Sequence, residues 1–129
     1  MSAVIDSSAV LAALNREPGW ERAMELVPEG TLLTISFGEV ATKLARYIDG
    51  REMIAGLIHA SVLDVVDLDA DLALEAGLID PRLVKGGLSL ADRCCIAYAR
   101  SRGFPAVTAD RVWSKIADPL GVDILQIRD

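Results

Sequence analysis

The chain of 129 residues alternates short apolar segments with stretches of helical periodicity, and this alternation constrains its fold more than any other feature. Strands that are joined through helices pair in parallel, and both faces of such a sheet need helical cover. The sequence therefore predicts a single domain, residues 1–129, of the α/β class with a mainly parallel sheet flanked by helices. The predicted strands are residues 3–5, 31–35, 62–66, 106–108 and 122–126.

Helical periodicity fills the intervals between these strands. Ser7 or Ser8 is suited to cap the first helix, Pro18 fits the first turn of the second, and Gly103 is suited to end the long sixth helix. A loop is predicted around residues 81–87. The predicted helices are residues 7–14, 20–27, 36–48, 51–60, 69–78, 89–102 and 110–116.

The charge and the hydropathy of the chain limit the classes of function that it can have. The formal net charge of −6 argues against a protein that binds nucleic acid through its overall electrostatic attraction, and it favours a basic protein partner. No segment reaches the roughly 18 uninterrupted apolar residues of a membrane span, so we expect a soluble, cytoplasmic protein without membrane contact. Cys94 and Cys95 are adjacent in a predicted helix, which disfavours a disulfide between them, and we expect two thiols in a reducing compartment.

An acid on an apolar helix face is the first candidate for function. In the segment GLSLADRCCIAYARSRG, residues 87–103, Asp92 shares its helical stripe with Cys95, Ile96 and Ala99. A carboxylate on the helix face that carries core residues costs folding free energy, unless hydrogen bonds or an opposite charge compensate its burial.

Three further acids are predicted at the same edge of the sheet. Asp6 ends the first strand, Asp110 follows the fourth, and Glu39 is expected in the first turn of the helix after the second strand. Asp92 is expected in the first turn of a helix that begins at this edge. In an open α/β sheet, the ligand crevice lies beyond the carboxyl ends of the strands.

Helix capping is the competing interpretation for each acid. The segments Ser89–Asp92 and Ser36–Glu39 both match the capping box, with serine at the N-cap and an acid three residues later. Asp6 and Asp110 could themselves be N-cap residues. Glu39 is the most easily explained in this way, because Lys43 lies four residues later as a salt-bridge partner.

Taken together, the four acids predict a metal site. Clustered carboxylates raise each other's pKa values, and a hard divalent cation with oxygen ligands removes that conflict. Acids without histidine or thiol partners indicate Mg²⁺ or Mn²⁺ rather than zinc. The single histidine, His59, is expected on a helix away from this edge, so no serine–histidine–acid triad can be assembled.

Four segments of the sequence carry a resemblance to a known family. They are VIDSSAVLA (4–12), ISFGEVATKL (35–44), LSLADRCCIAYA (88–99) and VTADRVW (107–113). With them, nearly the whole chain resembles a PIN-domain ribonuclease of the VapC toxin type. The resemblance implies a PIN-like fold with a five-stranded parallel sheet, a homodimer, and a basic antitoxin protein encoded alongside.

The resemblance also implies which residues form the site. The family's acidic metal site falls on Asp6, Glu39, Asp92 and Asp110, and Thr108 matches a hydroxyl position that supports it. Many relatives have asparagine three residues before the glutamate, where this chain has Ser36.

The sequence is therefore interpreted as a Mg²⁺- or Mn²⁺-dependent endoribonuclease, the toxin of a type II toxin–antitoxin pair. Arg93 and Arg111 flank acids of the predicted site and are candidates to bind the phosphates of an RNA substrate. Two alternatives remain open at this point. One is a phosphoryl-transfer domain of the response-regulator receiver kind, and the other is a non-catalytic interaction domain whose acids only cap helices.

Overall fold

The computed structural model describes residues 2–80, 82 and 88–128, so most of the predicted loop at 81–87 lies outside the described residues. In this part of the chain, short parallel strands alternate with helices as predicted. The strands are β1 (Val4–Ile5), β2 (Thr31–Leu33), β3 (Asp64–Val66), β4 (Ala106–Thr108) and β5 (Ile124–Gln126). The α-helices are α1 (Ser7–Asn15), α2 (Trp20–Leu26), α3 (Thr34–Leu44), α4 (Arg51–Ser61), α5 (Ala70–Gly77), α6 (Leu90–Arg102) and α7 (Val112–Leu120), and a 3₁₀ turn covers Val27–Glu29.

All strand pairs are parallel, and β1 is the central strand. The sheet order is β3-β2-β1-β4-β5, with Val4 paired to Thr31 on one side and to Ala106 on the other. The predicted α/β class and five-stranded parallel sheet are confirmed. Receiver domains have the order 2-1-3-4-5, so the strand order excludes the receiver-like alternative.

Successive residues of each strand face opposite sides of the sheet and build two separate cores. Ile5, Leu32 and Val107 belong to the core beneath α1, α3 and α4. Their neighbours Val4, Leu33 and Ala106 belong to the core on the side of α6 and α7. All six of these strand residues are fully buried. The two-sided burial explains why the strands read as continuous apolar runs in the sequence.

The boundary between β2 and α3 differs from the prediction. The apolar run at 31–35 predicts a strand over its whole length, but the strand ends at Leu33 and α3 already begins at Thr34. The Thr34 hydroxyl accepts a hydrogen bond from the Leu68 backbone N–H at 3.0 Å, which helps to fix this early helix start. Ser36 is therefore not an N-cap, and Glu39 lies in the second turn of α3 rather than the first.

The prediction was most accurate around α6 and β4. Ser89 caps α6 as predicted, Gly103 ends it in the left-handed conformation at φ +67°, and β4 has the predicted bounds. Helix α7 begins at Val112, two residues later than predicted, and continues through Pro119 to Leu120. Among the described residues, no helix combines the length and the apolar character that a membrane crossing requires.

Candidate active site

Asp6 is the most buried of the four acids. It follows β1 directly, and its side chain is 4% exposed. Its Oδ2 atom accepts hydrogen bonds from the Ser8 hydroxyl at 2.5 Å and from the Thr108 hydroxyl at 2.8 Å. Burial raises the pKa of the Asp6 carboxyl above its ordinary value, and the two hydroxyls offset part of that rise. Asp6 is the N-cap residue of α1, but its side chain makes no capping hydrogen bond, so the capping interpretation is wrong for this residue.

Thr108 and Asp110 extend this network across the end of β4. The Thr108 hydroxyl accepts a hydrogen bond from the Asp110 backbone N–H at 3.0 Å while it donates to Asp6. Oδ1 of Asp110 accepts from the Val112 N–H at 2.9 Å, so Asp110 does support the start of α7. From β5, Nε2 of Gln126 donates to the Asp110 backbone carbonyl at 2.7 Å. Asp110 is thus held both by its backbone and by its side chain.

Asp92 forms the predicted capping box with Ser89. Its Oδ2 accepts from the Ser89 backbone N–H at 3.0 Å, and the Ser89 hydroxyl accepts from the Asp92 N–H at 3.1 Å. Even so, the pKa of Asp92 is raised to about 6, mainly by burial and also by the charges of Asp6 and Asp110, while the hydrogen bonds with Ser89 offset part of the rise. Capping alone therefore does not compensate the cost of placing this carboxylate here.

Glu39 reaches the same edge from α3. Burial raises the pKa of Glu39, the charge of Asp6 raises it further, and the Ser7 hydroxyl and the Lys43 ammonium group offset part of the rise. Its Oε1 atom is buried and accepts no hydrogen bond from any residue that the structure describes. A buried acceptor without a partner costs free energy, so the position favours a ligand that binds oxygen.

A cysteine from α6 lies beneath these acids. The thiol of Cys95 is fully buried and lies 3.3 Å from the hydroxyl of Ser36, which is also fully buried. Burial raises the pKa of this thiol well above its ordinary value, and the charges of Asp6, Asp92 and Glu39 add to the rise. Three acids from three separate parts of the chain therefore lie near enough to Cys95 for their charges to act on its thiol.

The acids do not form a complete metal cage in their present positions. Among residues 2–80, 82 and 88–128, no three histidine, cysteine or acidic side chains are close enough together to hold a metal ion. The hydrogen bonds explain part of this spacing, because Asp92 and Asp110 each turn one oxygen toward a helix start. A carboxylate has two oxygens and about four lone pairs, so a capping bond leaves acceptor capacity.

The donor set nevertheless fits a hard divalent cation. The residues that meet at the edge offer carboxylate and hydroxyl oxygens, which suit Mg²⁺ and Mn²⁺. Glu39 has an oxygen without a partner, and the pKa values of Asp6, Glu39 and Asp92 are all raised. A bound cation would give the unpaired oxygen of Glu39 a partner, and its positive charge would favour the ionised forms of the three acids.

The predicted basic residues lie beside the acids. Arg93 is half-buried, and its Nε donates to the Ser89 backbone carbonyl at 3.3 Å, while Arg111 is exposed. His59 is exposed on α4, and its ring lies 5.1 Å from that of Phe37.

The resemblance predicts Thr108 as a support of this site, but the sequence does not predict the contact that Ser8 makes with Asp6. Ser8 is predicted only as a helix cap, yet its Oγ donates to Asp6 and accepts from the Ala109 backbone N–H at 3.0 Å. No sequence pattern assigns a role to Gln126. The serine pair directly after Asp6 was a usable signal, whereas Gln126 reaches Asp110 only through the pairing of β4 with β5.

Comparison with known proteins assigns the family. The family model of the PIN domain matches residues 3–119, which is most of the chain. The chain therefore belongs to the PIN-domain family. No curated protein sequence matches it significantly.

Solved structures with the same fold come from bacterial toxin–antitoxin systems. The toxin VapC20 of Mycobacterium tuberculosis, described as cleaving the sarcin–ricin loop, is 25% identical with a TM-score of 0.64, over 88% of this chain and 93% of that one. A toxin–antitoxin complex from Klebsiella pneumoniae is 16% identical with a TM-score of 0.73, over 98% of both chains. A DNA-bound VapBC complex from Salmonella typhimurium is 20% identical with a TM-score of 0.70, over 98% of both.

The raised pKa of Asp92 predicts a measurable pH dependence of stability. A carboxyl whose pKa is higher in the folded than in the unfolded chain binds more protons when folded, so it lowers stability as the pH rises from about 4 to 6. Asp92→Asn removes this cost. After allowance for partial solvent exposure, we expect the variant to be about 1–2 kcal/mol more stable than wild type at pH 7.5 in EDTA.

Urea unfolding between pH 5 and pH 8 measures this difference. The gain should shrink as the pH falls toward 5, and Asp118→Asn, at an exposed position of α7, is the matched control. Parallel stability curves for wild type and Asp92→Asn over the whole range would contradict the assignment of a raised pKa to Asp92.

Proposed function

We propose that this chain is a Mg²⁺- or Mn²⁺-dependent endoribonuclease and the toxin of a type II toxin–antitoxin pair. The observation that supports the proposal is that Asp6, Glu39 and Asp92, from separate parts of the chain, each have a raised pKa and all act by their charge on the buried thiol of Cys95. Asp110 joins them through its charge effect on Asp92. A site built only to cap helices has no need to gather acids from separate elements at such electrostatic cost.

In this proposal, Asp6, Glu39, Asp92 and Asp110 hold the cation. Bound there, it would lower the pKa of a water molecule and stabilise negative charge on the scissile phosphate. Asp6 is kept in place by the Ser8 and Thr108 hydroxyls, so its carboxylate is preorganised.

The choice of RNA as substrate rests on family membership and on one relative. VapC20, at 25% identity over most of both chains, is described as cleaving the sarcin–ricin loop. Arg93 and Arg111, next to two of the acids in the sequence, are proposed to contact the RNA phosphates. We further propose that residues 1–129 act as one domain, that the protein is cytoplasmic, and that it forms a homodimer.

Loss of a single ligand charge should abolish cleavage. We expect Asp6→Asn and Asp92→Asn to lower the Mg²⁺-dependent cleavage rate of a fluorescent RNA by at least about 100-fold, because the amide keeps the shape but removes the charge. The control variant Asp118→Asn should cleave the RNA at the rate of wild type. EDTA should stop cleavage by wild type and by Asp118→Asn.

Thermal melting in the same samples tests the interaction-domain alternative. Mg²⁺ should raise the melting temperature of wild type and of Asp118→Asn, but not that of Asp92→Asn. If Mg²⁺ leaves the melting temperature of wild type unchanged and the folded acid variants cut RNA as fast as wild type does, the acids only cap helices.

The ends of the cut RNA report the mechanism. A ribonuclease that drives the RNA's own 2′-hydroxyl onto the phosphate commonly uses histidine near neutral pH, and the only histidine, His59, is exposed on α4. We therefore expect attack by water, with departure of the 3′-oxygen, and products with 5′-phosphate and 3′-hydroxyl ends. Mass spectrometry that finds 2′,3′-cyclic phosphates, formed equally well without metal, would contradict this mechanism.

The proposed partner is a basic antitoxin segment that covers the acids. The excess of negative charge and the clustered carboxylates suit an arginine, which pairs bidentately with a carboxylate. We expect the complex to lose nuclease activity.

A photo-crosslinker at exposed Leu90, two residues before Asp92, should capture the antitoxin, whereas one at Leu63, just before the amino end of β3, should not. Capture only from Leu63 would place the partner at the wrong edge of the sheet.

A further inference from the structure

A second, basic feature lies next to the acidic edge. A surface cleft of about 500 Å³ is lined by Arg22, Arg111 and Arg128, with Glu21 as the one acid among its lining residues. The three arginines come from α2, from the start of α7 and from the segment after β5. This cluster of three arginines is a local concentration of positive charge in a chain whose net charge is −6.

Two backbone contacts build the wall of this cleft. Gly19, at φ +91°, lies so close to the end of the chain's last strand that a Cβ atom would come within 2.6 Å of the Ile127 carbonyl oxygen. Nε of Arg128 donates to the Pro18 backbone carbonyl at 2.8 Å. The loop before α2 is thus fixed against the segment after β5, and only glycine fits at this point of contact.

Two lining residues of the cleft are close in the chain to residues of the candidate active site. Arg111 directly follows Asp110 in the chain, so their Cα atoms are about 3.8 Å apart. Arg128 is the second residue after Gln126, whose side chain holds the Asp110 carbonyl. The arginines therefore extend the edge that carries the acids on its β5 side.

No carboxylate of the described residues neutralises the guanidinium groups of the cleft. In the part of the chain that the structure describes, none of the three arginines has a carboxylate within 4.0 Å as a salt-bridge partner. Arg22 and Arg111 are exposed and make no side-chain hydrogen bond there. A planar guanidinium with free N–H groups matches the oxygens of a phosphate.

We propose that this cleft binds backbone phosphates of the RNA strand adjacent to the phosphate that is cut. The proposal rests on the ribonuclease function proposed above and deepens it, since it says how an acidic protein holds a polyanion. The acids repel the RNA backbone, whereas the arginines beside them attract it. The arginines would therefore hold the RNA strand on the β5 side of the edge that carries the acids. Contacts of this kind position the backbone and carry little sequence information.

Binding of single-stranded RNA at different salt concentrations tests the cleft. The probe is a short fluorescent oligouridylate, bound to Asp92→Asn protein in Mg²⁺ so that it stays intact. In this background, we expect Arg22→Gln and Arg128→Gln each to weaken binding about 3- to 10-fold. Each should also lower the slope of log K against log salt by about 0.7 between about 50 and 200 mM KCl, the value for one lost phosphate contact on a single strand.

Arg100→Gln is the matched control, because Arg100 is an exposed arginine near the far end of α6 from Asp92. It should leave affinity and slope unchanged. In the active protein, Arg22→Gln should raise KM several-fold with kcat unchanged, as expected for a group that binds substrate uniformly. The Arg22 side chain makes no hydrogen bond to the described residues, so its variant decides the test even if Arg128→Gln disturbs the Pro18 contact.

The outcomes separate the two proposals. If wild type cuts RNA in Mg²⁺ but the cleft variants match Arg100→Gln in affinity, slope and KM, the cleft proposal is overturned and the ribonuclease survives. The cleft proposal is also overturned if the cleft variants lose affinity only for the antitoxin, which would make the cleft a protein contact. If wild type neither binds nor cuts RNA, both proposals fail.

Discussion

The carboxyl edge of the sheet depends on how the fold holds one buried carboxylate. Asp6 ends the central strand, where its side chain is almost fully enclosed, and the hydroxyls of Ser8 and Thr108 are its side-chain hydrogen-bond partners. Burial of a charge is costly unless hydrogen bonds or an opposite charge compensate it. Those two hydroxyls also tie α1 to the end of β4, so the same contacts that orient the carboxylate hold the edge together.

The other acids combine structural and chemical roles. Asp92 caps α6 and Asp110 supports the start of α7, and both bonds are real contributions to the fold. Capping explains why acids stand at these positions, but it does not explain why burial and neighbouring charge raise the pKa of Asp92. The raised pKa means that the charged form of Asp92 is disfavoured in the folded protein, and such a local cost is typical of functional sites.

Local signals in the sequence predicted their elements correctly, and non-local contacts were missed. The bounds of β4, the Ser89 cap and the Gly103 end of α6 follow from residues within a few positions of each other. The end of β2 was placed too late, because an apolar run fits a strand and a buried helix start equally well. The convergence of the acids on one edge was predictable from the parallel sheet. Two further contacts depend on packing between distant segments, and no local pattern encodes them. They are the contact of Ser36 with Cys95 and the hydrogen bond of Gln126 to Asp110.

The pairing of β1 with β4 also has a consequence for the timing of synthesis. Thr108 lies 102 residues after Asp6, and Asp92 and Asp110 are likewise in the last third of the chain. A growing chain can form the neighbouring β1–β2 pair early, but the acidic edge cannot close until β4 has left the ribosome. A nascent chain therefore cannot assemble the acidic edge before Thr108 and Asp110 have been synthesised.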